Sequence, residues 1–302
     1  MSGAGGFENA ALRYQVPPER DGAQVYDLLR RSMGLSYKTV VRLRHAPGAL
    51  RCNGAPVRTI DRVRAGDELT AALPEPCVKP ALPYAGLAAV PVAYEDASVI
   101  VYDKPASMPV HQAKWHQSDT LANVFAADMA NRGLSLPFRA VNRLDRDTSG
   151  LCVVAKNAHV AYCLANTLEK EYTAAVAGCP QPLCGTIDLP IARADAVDIL
   201  RRVDPAGQRA VTHYRVTERD ERASLVKIRL ETGRTHQIRV HFSHIGHPLL
   251  GDVRYGGPAD RLDRQALHCS RVWFTEPSGR QVTVVSVPPF WDDGRSGRGS
   301  IA

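Results

Sequence analysis

The sequence predicts an α+β protein: a long mixed, mostly antiparallel sheet preceded by a small α/β domain. Three observations predict it. After residue 92, strand candidates outnumber helix candidates and follow one another with few helices between, which argues against a doubly wound sheet. Pro74, Pro76, Pro80, Pro83 and Pro91 fall within eighteen positions and resist both helix and central strand, so residues 74–91 read as a semi-rigid linker. Residues 13–73 ahead of that linker combine short amphipathic segments with dense positive charge. A chain of 302 residues, 44% of them hydrophobic, can bury one large core and a small second one.

The elements follow in order. A polar, Gly-rich flexible tail runs to residue 12. Val25, Leu28 and Leu29 have helical spacing, and Gly34 suits the end of that helix. Ser36 is a candidate N-cap for a second helix through about His45, with Val40, Val41 and Leu43 as its apolar positions. Asn53-Gly54 signals a tight turn between two short strands, and Val63 to Leu69 closes the small domain. The domain at 92–290 begins with a strand at Val99–Tyr102 that Asp103-Lys104-Pro105 stops. Helix candidates follow at Thr120–Ala130 and Ala158–Leu168. Strand candidates lie at Leu151–Ala155, Tyr172–Val176, Ala210–Val216, Leu225–Leu230, Arg271–Phe274 and Val282–Val287. Residues 291–302 read as a second flexible tail.

Positive charge is carried mostly by arginine, 31 residues against 7 lysines. Arginine presents a planar fork of donors to phosphate and stacks on bases. A GC-rich genome gives the same bias, so location matters more. Arg30, Arg31, Lys38, Arg42, Arg44, Arg51, Arg58, Arg62 and Arg64 share one window with a single acid, Asp61, a net +8 against +7 for the whole chain. That window is the candidate nucleic-acid-binding surface. The seven scattered cysteines show no metal-ligand spacing and read as reduced thiols of a cytoplasmic protein. No secretory signal is recognisable, and no apolar run approaches the roughly 20 residues of a membrane span.

Chemistry concentrates at Asn142-Arg143-Leu144-Asp145-Arg146-Asp147-Thr148-Ser149-Gly150, which runs straight into the apolar Leu151–Ala155. Carboxylates beside a buried strand need a basic partner. Thr148-Ser149-Gly150 suggests a turn, giving Asp145 the cleft and Asp147 the loop, where it would accept backbone N–H bonds. From the residues alone, catalysis at either acid and a salt-bridged structural turn are both open readings.

A second constellation is Glu231-Thr232-Gly233-Arg234-Thr235-His236-Gln237-Ile238-Arg239-Val240-His241. Gly233 breaks the preceding strand, and Thr235 is a candidate cap for a helix to about Ile245. On it Thr235, Ile238 and Phe242 share a face, as do Gln237 and His241, with Arg239 on a flank that can reach a phosphate or a buried carboxylate. The spacing of His236, His241, His244 and His247 fits no recognised metal site. Tyr172 opens a strand and, by itself, reads as core.

These runs resemble the RLDxxTxG and GRTHQIRxH motifs of the RluA-like family of RNA pseudouridine synthases. Lys104-Pro105 with Met108-Pro109-Val110-His111 resembles that family's first motif. The resemblance covers about residues 92–290. It implies the pseudouridine synthase fold with a central active-site cleft, isomerisation of uridine to pseudouridine in structured RNA, no metal and no organic cofactor. It makes Asp145 the catalytic acid and Arg239 its ion-pair partner, and lays Tyr172 against the target uracil. Ile238 joins the apolar wall, and Arg143 enters the stack that the base has left. Asn142, Arg234 and His236 are the other substrate-binding candidates; Asn142 departs from the histidine that many relatives carry there and cannot titrate. The aspartate acts in this family either as a nucleophile on the ribose or as the base that yields a glycal. Two short helices and a hairpin at 13–73 resemble the small RNA-binding domain of the ribosomal-protein-S-four type. The expected partner is large-subunit ribosomal RNA, with transfer RNA as the alternative, and the expected state a monomer. The rivals are a non-catalytic RNA-binding assembly factor, which would have lost Asp145, Tyr172 or Arg239, and a different enzyme on nucleic acid, such as a DNA glycosylase or a nuclease, the metal-dependent form of which would need clustered carboxylates.

Overall fold

The computed structural model describes residues 11–73, 89–195, 200–260 and 262–290. The expected tails fall outside them, apart from Ala11 and Leu12, and so do residues 74–88 of the linker. Two compact units divide the chain: Met1–Lys79 with Asn157–Asn166, and Pro80–Lys156 with Thr167–Ala302. The second is therefore interrupted, where the sequence suggested one continuous stretch. No described helix is long and apolar enough to cross a membrane.

In the first unit β1 (Ala11–Gln15), β2 (Leu50–Cys52), β3 (Ala55–Pro56) and β4 (Glu68–Ala72) form an antiparallel sheet in the order β1-β4-β2-β3. β1 starts inside the expected tail: Ala11 to Gln15 alternate in exposure and pair with β4 from Ala11↔Ala72 to Gln15↔Glu68. Helix α1 (Val25–Asp27) continues as a π-turn over Leu28–Ser32 and ends before Gly34. Ser36 caps α2 (Tyr37–His45) by accepting from Thr39 N at 3.1 Å. Its buried face is Val40 and Leu43, which join Val25, Leu28 and Leu29 in one apolar core. Asn53 and Gly54 both take positive φ, 51° and 81°, and make the expected tight turn between β2 and β3.

The second unit is built on a mixed sheet of nine strands among the described residues. Its strands are β5 (Val92–Glu95), β6 (Val99–Lys104), β7 (Ser149–Ala155), β8 (Glu169–Ala177), β9 (Cys184–Asp188), β12 (Val211–Arg219), β13 (Ala223–Leu230), β14 (Leu267–Thr275) and β15 (Gln281–Val285). The order is β5-β6-β7-β14-β8-β13-β12-β9, with β15 beside β14. Only the β7–β14 pairing is parallel. That pairing explains the motif glycine: Gly150 has φ +106°, and a Cβ there would lie 2.4 Å from the Cys269 carbonyl oxygen. Short β10 (Ile191–Arg193) and β11 (Arg201–Val203) pair separately. Helices α3 (Leu121–Asn131), opened by a Thr120–Asn123 capping box, and α5 (Gln237–His244) belong to this unit, whereas α4 (Ala158–Thr167) falls almost wholly within the segment assigned to the first. β7 is buried along its whole length, as its apolar sequence requires.

Candidate active site

The cleft opens where the central strands meet. Asp145 sits on the turn that enters β7, closed by Thr148 N to Asp145 O at 3.2 Å. Tyr172 comes from β8, Leu230 from the end of β13 and Leu267 from the start of β14, while the loop after β13 and the first turns of α5 bring Gly233 to Arg239. The floor holds about 100 Å³ and widens into a hollow of about 590 Å³ that reaches Val110 and His111.

Arg239 organises the floor. Its Nε and Nη2 each donate to Asp252 at 2.7 Å, and its Nη1 lies 3.5 Å from Asp145 Oδ2. The guanidinium also rests 4.8 Å from the centre of the Tyr255 ring. Burial opposes its charge most, but the Asp252 hydrogen bonds together with the charges of Asp252 and Asp145 raise its pKa above the ordinary value. Asp252 is 2% exposed, whereas the Asp145 side chain keeps 30%. One carboxylate therefore anchors the arginine while the other faces the cleft.

His236 departs from expectation. Helix α5 is preceded by His236 in the left-handed region, φ 57°, and Thr235 does not cap it. This turn brings the imidazole Nδ1 to 2.8 Å from the Tyr255 hydroxyl and Nε2 to 3.9 Å from Asp145. Burial lowers its pKa. Gln237 locks the loop: its Oε1 accepts from Thr232 Oγ1 and Arg234 N, and its Nε2 donates to Val211 O and Thr212 Oγ1. His241 meets Thr212 Oγ1 at 2.9 Å, so the Gln237–His241 face points into the protein and is closed to phosphate.

The other predicted residues separate clearly. Tyr172 is 6% exposed, lines the cleft, and burial holds its hydroxyl protonated well above the usual phenol range. Ile238, 4% exposed, forms apolar wall with Leu144 and Leu230. Arg143 is exposed on the rim and forms no ion pair among the described residues. Arg234 is exposed there too, its Nε donating to Arg209 O at 3.0 Å. Asn142 is buried at the edge of the wider hollow. Its amide donates to Leu151 O and accepts from Val153 N, fastening the motif to β7. Asp147 pairs with Arg146 at 3.4 Å, and among the described residues its carboxylate accepts no bond from the turn amides.

Sequence reading missed Asp252 and Tyr255 as partners of Arg239. The signal for Asp252 was an acid directly after the apolar Leu249-Leu250-Gly251, which demands a buried cation. Lys104 is fully buried, and its Nζ donates to Pro105 O, Met108 O and Arg146 O, clamping the underside of the Asp145 turn. Burial pushes its pKa down to about 8. Among the described residues no group of His, Cys, Asp or Glu is placed to hold a metal ion.

In the basic window, four arginines are spent on local structure. Arg30 donates to Leu35 O, Arg51 to Gly48 O and Gly54 O, Arg58 pairs with Asp61, and Arg62 donates to Gly22 O. Arg31 faces Asp27 at 3.8 Å. Lys38, Arg42, Arg44 and Arg64 are exposed, and their side chains make no hydrogen bond or ion pair among the described residues.

The fold defines the class. A human protein, RNA pseudouridylate synthase domain containing 1, superposes with a TM-score of 0.56 at 25% identity, covering 72% of this chain and 87% of its own. The profile of RNA pseudouridylate synthase matches residues 98–244, from β6 to the end of α5. An uncharacterized RNA pseudouridine synthase of Bacillus subtilis, YhcT, is 36% identical over 285 residues, 92% of this chain and 93% of the relative. The ribosomal large subunit pseudouridine synthase D of Pseudomonas aeruginosa is 42% identical over 219 residues, 70% of this chain and 66% of the relative. The chain belongs to the RluA-like family of RNA pseudouridine synthases.

Proposed function

We propose that this enzyme converts one or more uridines of large-subunit ribosomal RNA to pseudouridine, with Asp145 as the reactive carboxylate. The observation that carries the reading is the Asp145–Arg239–Asp252 array, which leaves one partly exposed carboxylate oxygen beside a fixed guanidinium in the cleft. The choice of RNA leans on relatives named ribosomal large subunit pseudouridine synthase D.

The reaction is an isomerisation: the bond from uracil N1 to the ribose breaks, the base turns, and carbon 5 rejoins the same ribose carbon. The proton on carbon 5 leaves and N1 ends protonated, so no atom is gained or lost. Asp145 meets the ribose, and it accepts the carbon-5 proton in the last step. Arg239 fixes where that carboxylate stands. The Tyr172 ring lies along the turning base, against the apolar wall of Ile238 and Leu230. Arg143, free on the rim, fills the gap in the RNA stack, offsetting an unstacking cost of a few kcal/mol. Arg234 and His236 complete the binding surface, Arg234 for phosphate and His236 as a neutral donor or acceptor near Asp145. The N-terminal unit holds RNA through Lys38, Arg42, Arg44 and Arg64.

Mapping pseudouridine across total cellular RNA, with and without this gene, tests the assignment. Loss of a site in large-subunit ribosomal RNA is the expected result. A loss confined to transfer RNA would contradict it.

A further inference from the structure

Trp115 is 82% exposed, a large aromatic surface left in water at the tip of a loop. The loop is nevertheless built. Ala113 and His116 exchange backbone hydrogen bonds of 3.0 and 2.9 Å, so Lys114 and Trp115 form a two-residue tip. Gln117 Nε2 donates to Ala113 O at 2.6 Å, Gln112 Nε2 donates to Gln117 O at 2.5 Å, and His116 meets Asp119 at 2.6 Å. At the loop's base, Pro109 O and Val110 O accept from Leu121 N and Ala122 N at the start of α3. Five hydrogen bonds within a polar loop hold an indole out in solvent, which costs apolar hydration and gains no packing.

We infer that the Lys114–Trp115 tip is a stacking platform for an unpaired base of the substrate RNA beside the catalytic cleft. Three features choose this occupant. Val110 and His111, in the same loop, line the cleft, and four residues of chain put Trp115 within about 14 Å of His111. Lys114 Nζ lies 5.0 Å from the centre of the indole, covering one face and leaving the other to a base, with its charge placed for the adjoining phosphate. The tip's neighbours, Gln112, Ala113, His116 and Gln117, offer no apolar patch of the size that docks a protein. Arg143 and Arg146, both exposed, add positive charge to the rim of the same cleft. A stacked base has a usable face whatever its identity, so the platform positions the strand without reading its sequence. The inference rests on RNA occupying the cleft as described above.

Two measurements test it separately. Steady-state kinetics on protein-free ribosomal RNA should show Trp115→Ala raising KM by roughly 5- to 150-fold, the range for one base–aromatic stack, with kcat within about twofold. Trp115→Phe should recover most of the loss, and both variants should keep the wild-type unfolding midpoint. An unchanged KM in Trp115→Ala, a fall in kcat alone, or a phenylalanine variant as poor as alanine would each overturn the platform. The second measurement needs no turnover: oligouridylate should quench tryptophan emission in the wild type and not in Trp115→Phe. Equal quenching in both proteins would overturn it too. If wild-type protein leaves ribosomal RNA unmodified but shows the Trp115-dependent quenching, the choice of target RNA fails while the platform stands.

Discussion

Asp252 grips Arg239 through two 2.7 Å hydrogen bonds, and the geometry of that grip turns the third nitrogen of the guanidinium towards Asp145 at 3.5 Å. The pair is almost wholly buried, 6% and 2% exposed at the side chains. An arginine so placed cannot relax into water when one partner is removed. Its position is the reference from which the cleft carboxylate is set.

Asp252→Asn should therefore unfold at lower urea concentration and turn over more slowly, although residue 252 does not line the cleft. Removing one partner of a buried pair costs about 3–5 kcal/mol, and here it also frees Arg239 to shift. Urea denaturation beside single-turnover kinetics would check both effects. A variant with normal stability and normal rate would show that Asp252 plays no part in holding Arg239.

Much of this arrangement was legible in the sequence, and the part that was not has a physical reason. Asp145 and Arg239 lie in charged runs that stand out by their chemistry, Tyr172 and Ile238 were picked out only by the family resemblance, and the structure brings all four to one cleft. Ser36, Thr120 and Asn53-Gly54 announce local structure because capping and turn formation depend on near neighbours. Asp252 and Tyr255 were missed because they reach Arg239 from thirteen and sixteen residues downstream, through a fold that local periodicity does not describe. Thr235 failed as a cap because His236 takes the left-handed turn, a backbone state that only its tertiary contacts favour. β9, β10 and β11 were missed as short strands with weak alternation.

Arg143→Ala should leave stability within about 0.5 kcal/mol of wild type, as for other exposed residues free of local bonds. Its kcat/KM on structured RNA should fall, because the side chain proposed to fill the vacated stack is gone. Thermal melts and initial rates decide it. Full activity would remove Arg143 from the site.

Acid should destabilise the catalytic unit through His268. The ring is 1% exposed and bridges Ser149 and Ser286, whose hydroxyl donates to Asp103. Burial, opposed by the charge of Asp103, pushes its pKa down to about 4, against about 6.5 in an unfolded chain. Between those values the unfolded state binds a proton that the folded state does not, so stability falls as pH drops from about 6.5 to 4. It is fully present above that window. The change is roughly 3 kcal/mol over the window. Denaturation midpoints at pH 5 and pH 7 should converge in His268→Gln relative to wild type; an unchanged difference would show that His268 titrates normally.

Substituting glutamine at Lys38, Arg42, Arg44 and Arg64 together should weaken RNA binding at low salt and flatten its salt dependence. Each phosphate that the protein no longer neutralises takes away roughly one unit of slope of log affinity against log salt. Arg62→Gln is the control, since its guanidinium is engaged with the Gly22 carbonyl. Equal slopes in the fourfold variant and wild type would make that face an ordinary solvated surface.

Asp145→Asn tests the central claim most directly. It deletes the carboxylate proposed to react, keeps the side-chain size, and leaves Asp252 to hold Arg239. Pseudouridine formed on the RNA that the wild-type protein modifies should fall below detection, while RNA affinity and unfolding midpoint stay close to wild type. Appreciable pseudouridine formation by that variant would contradict the account.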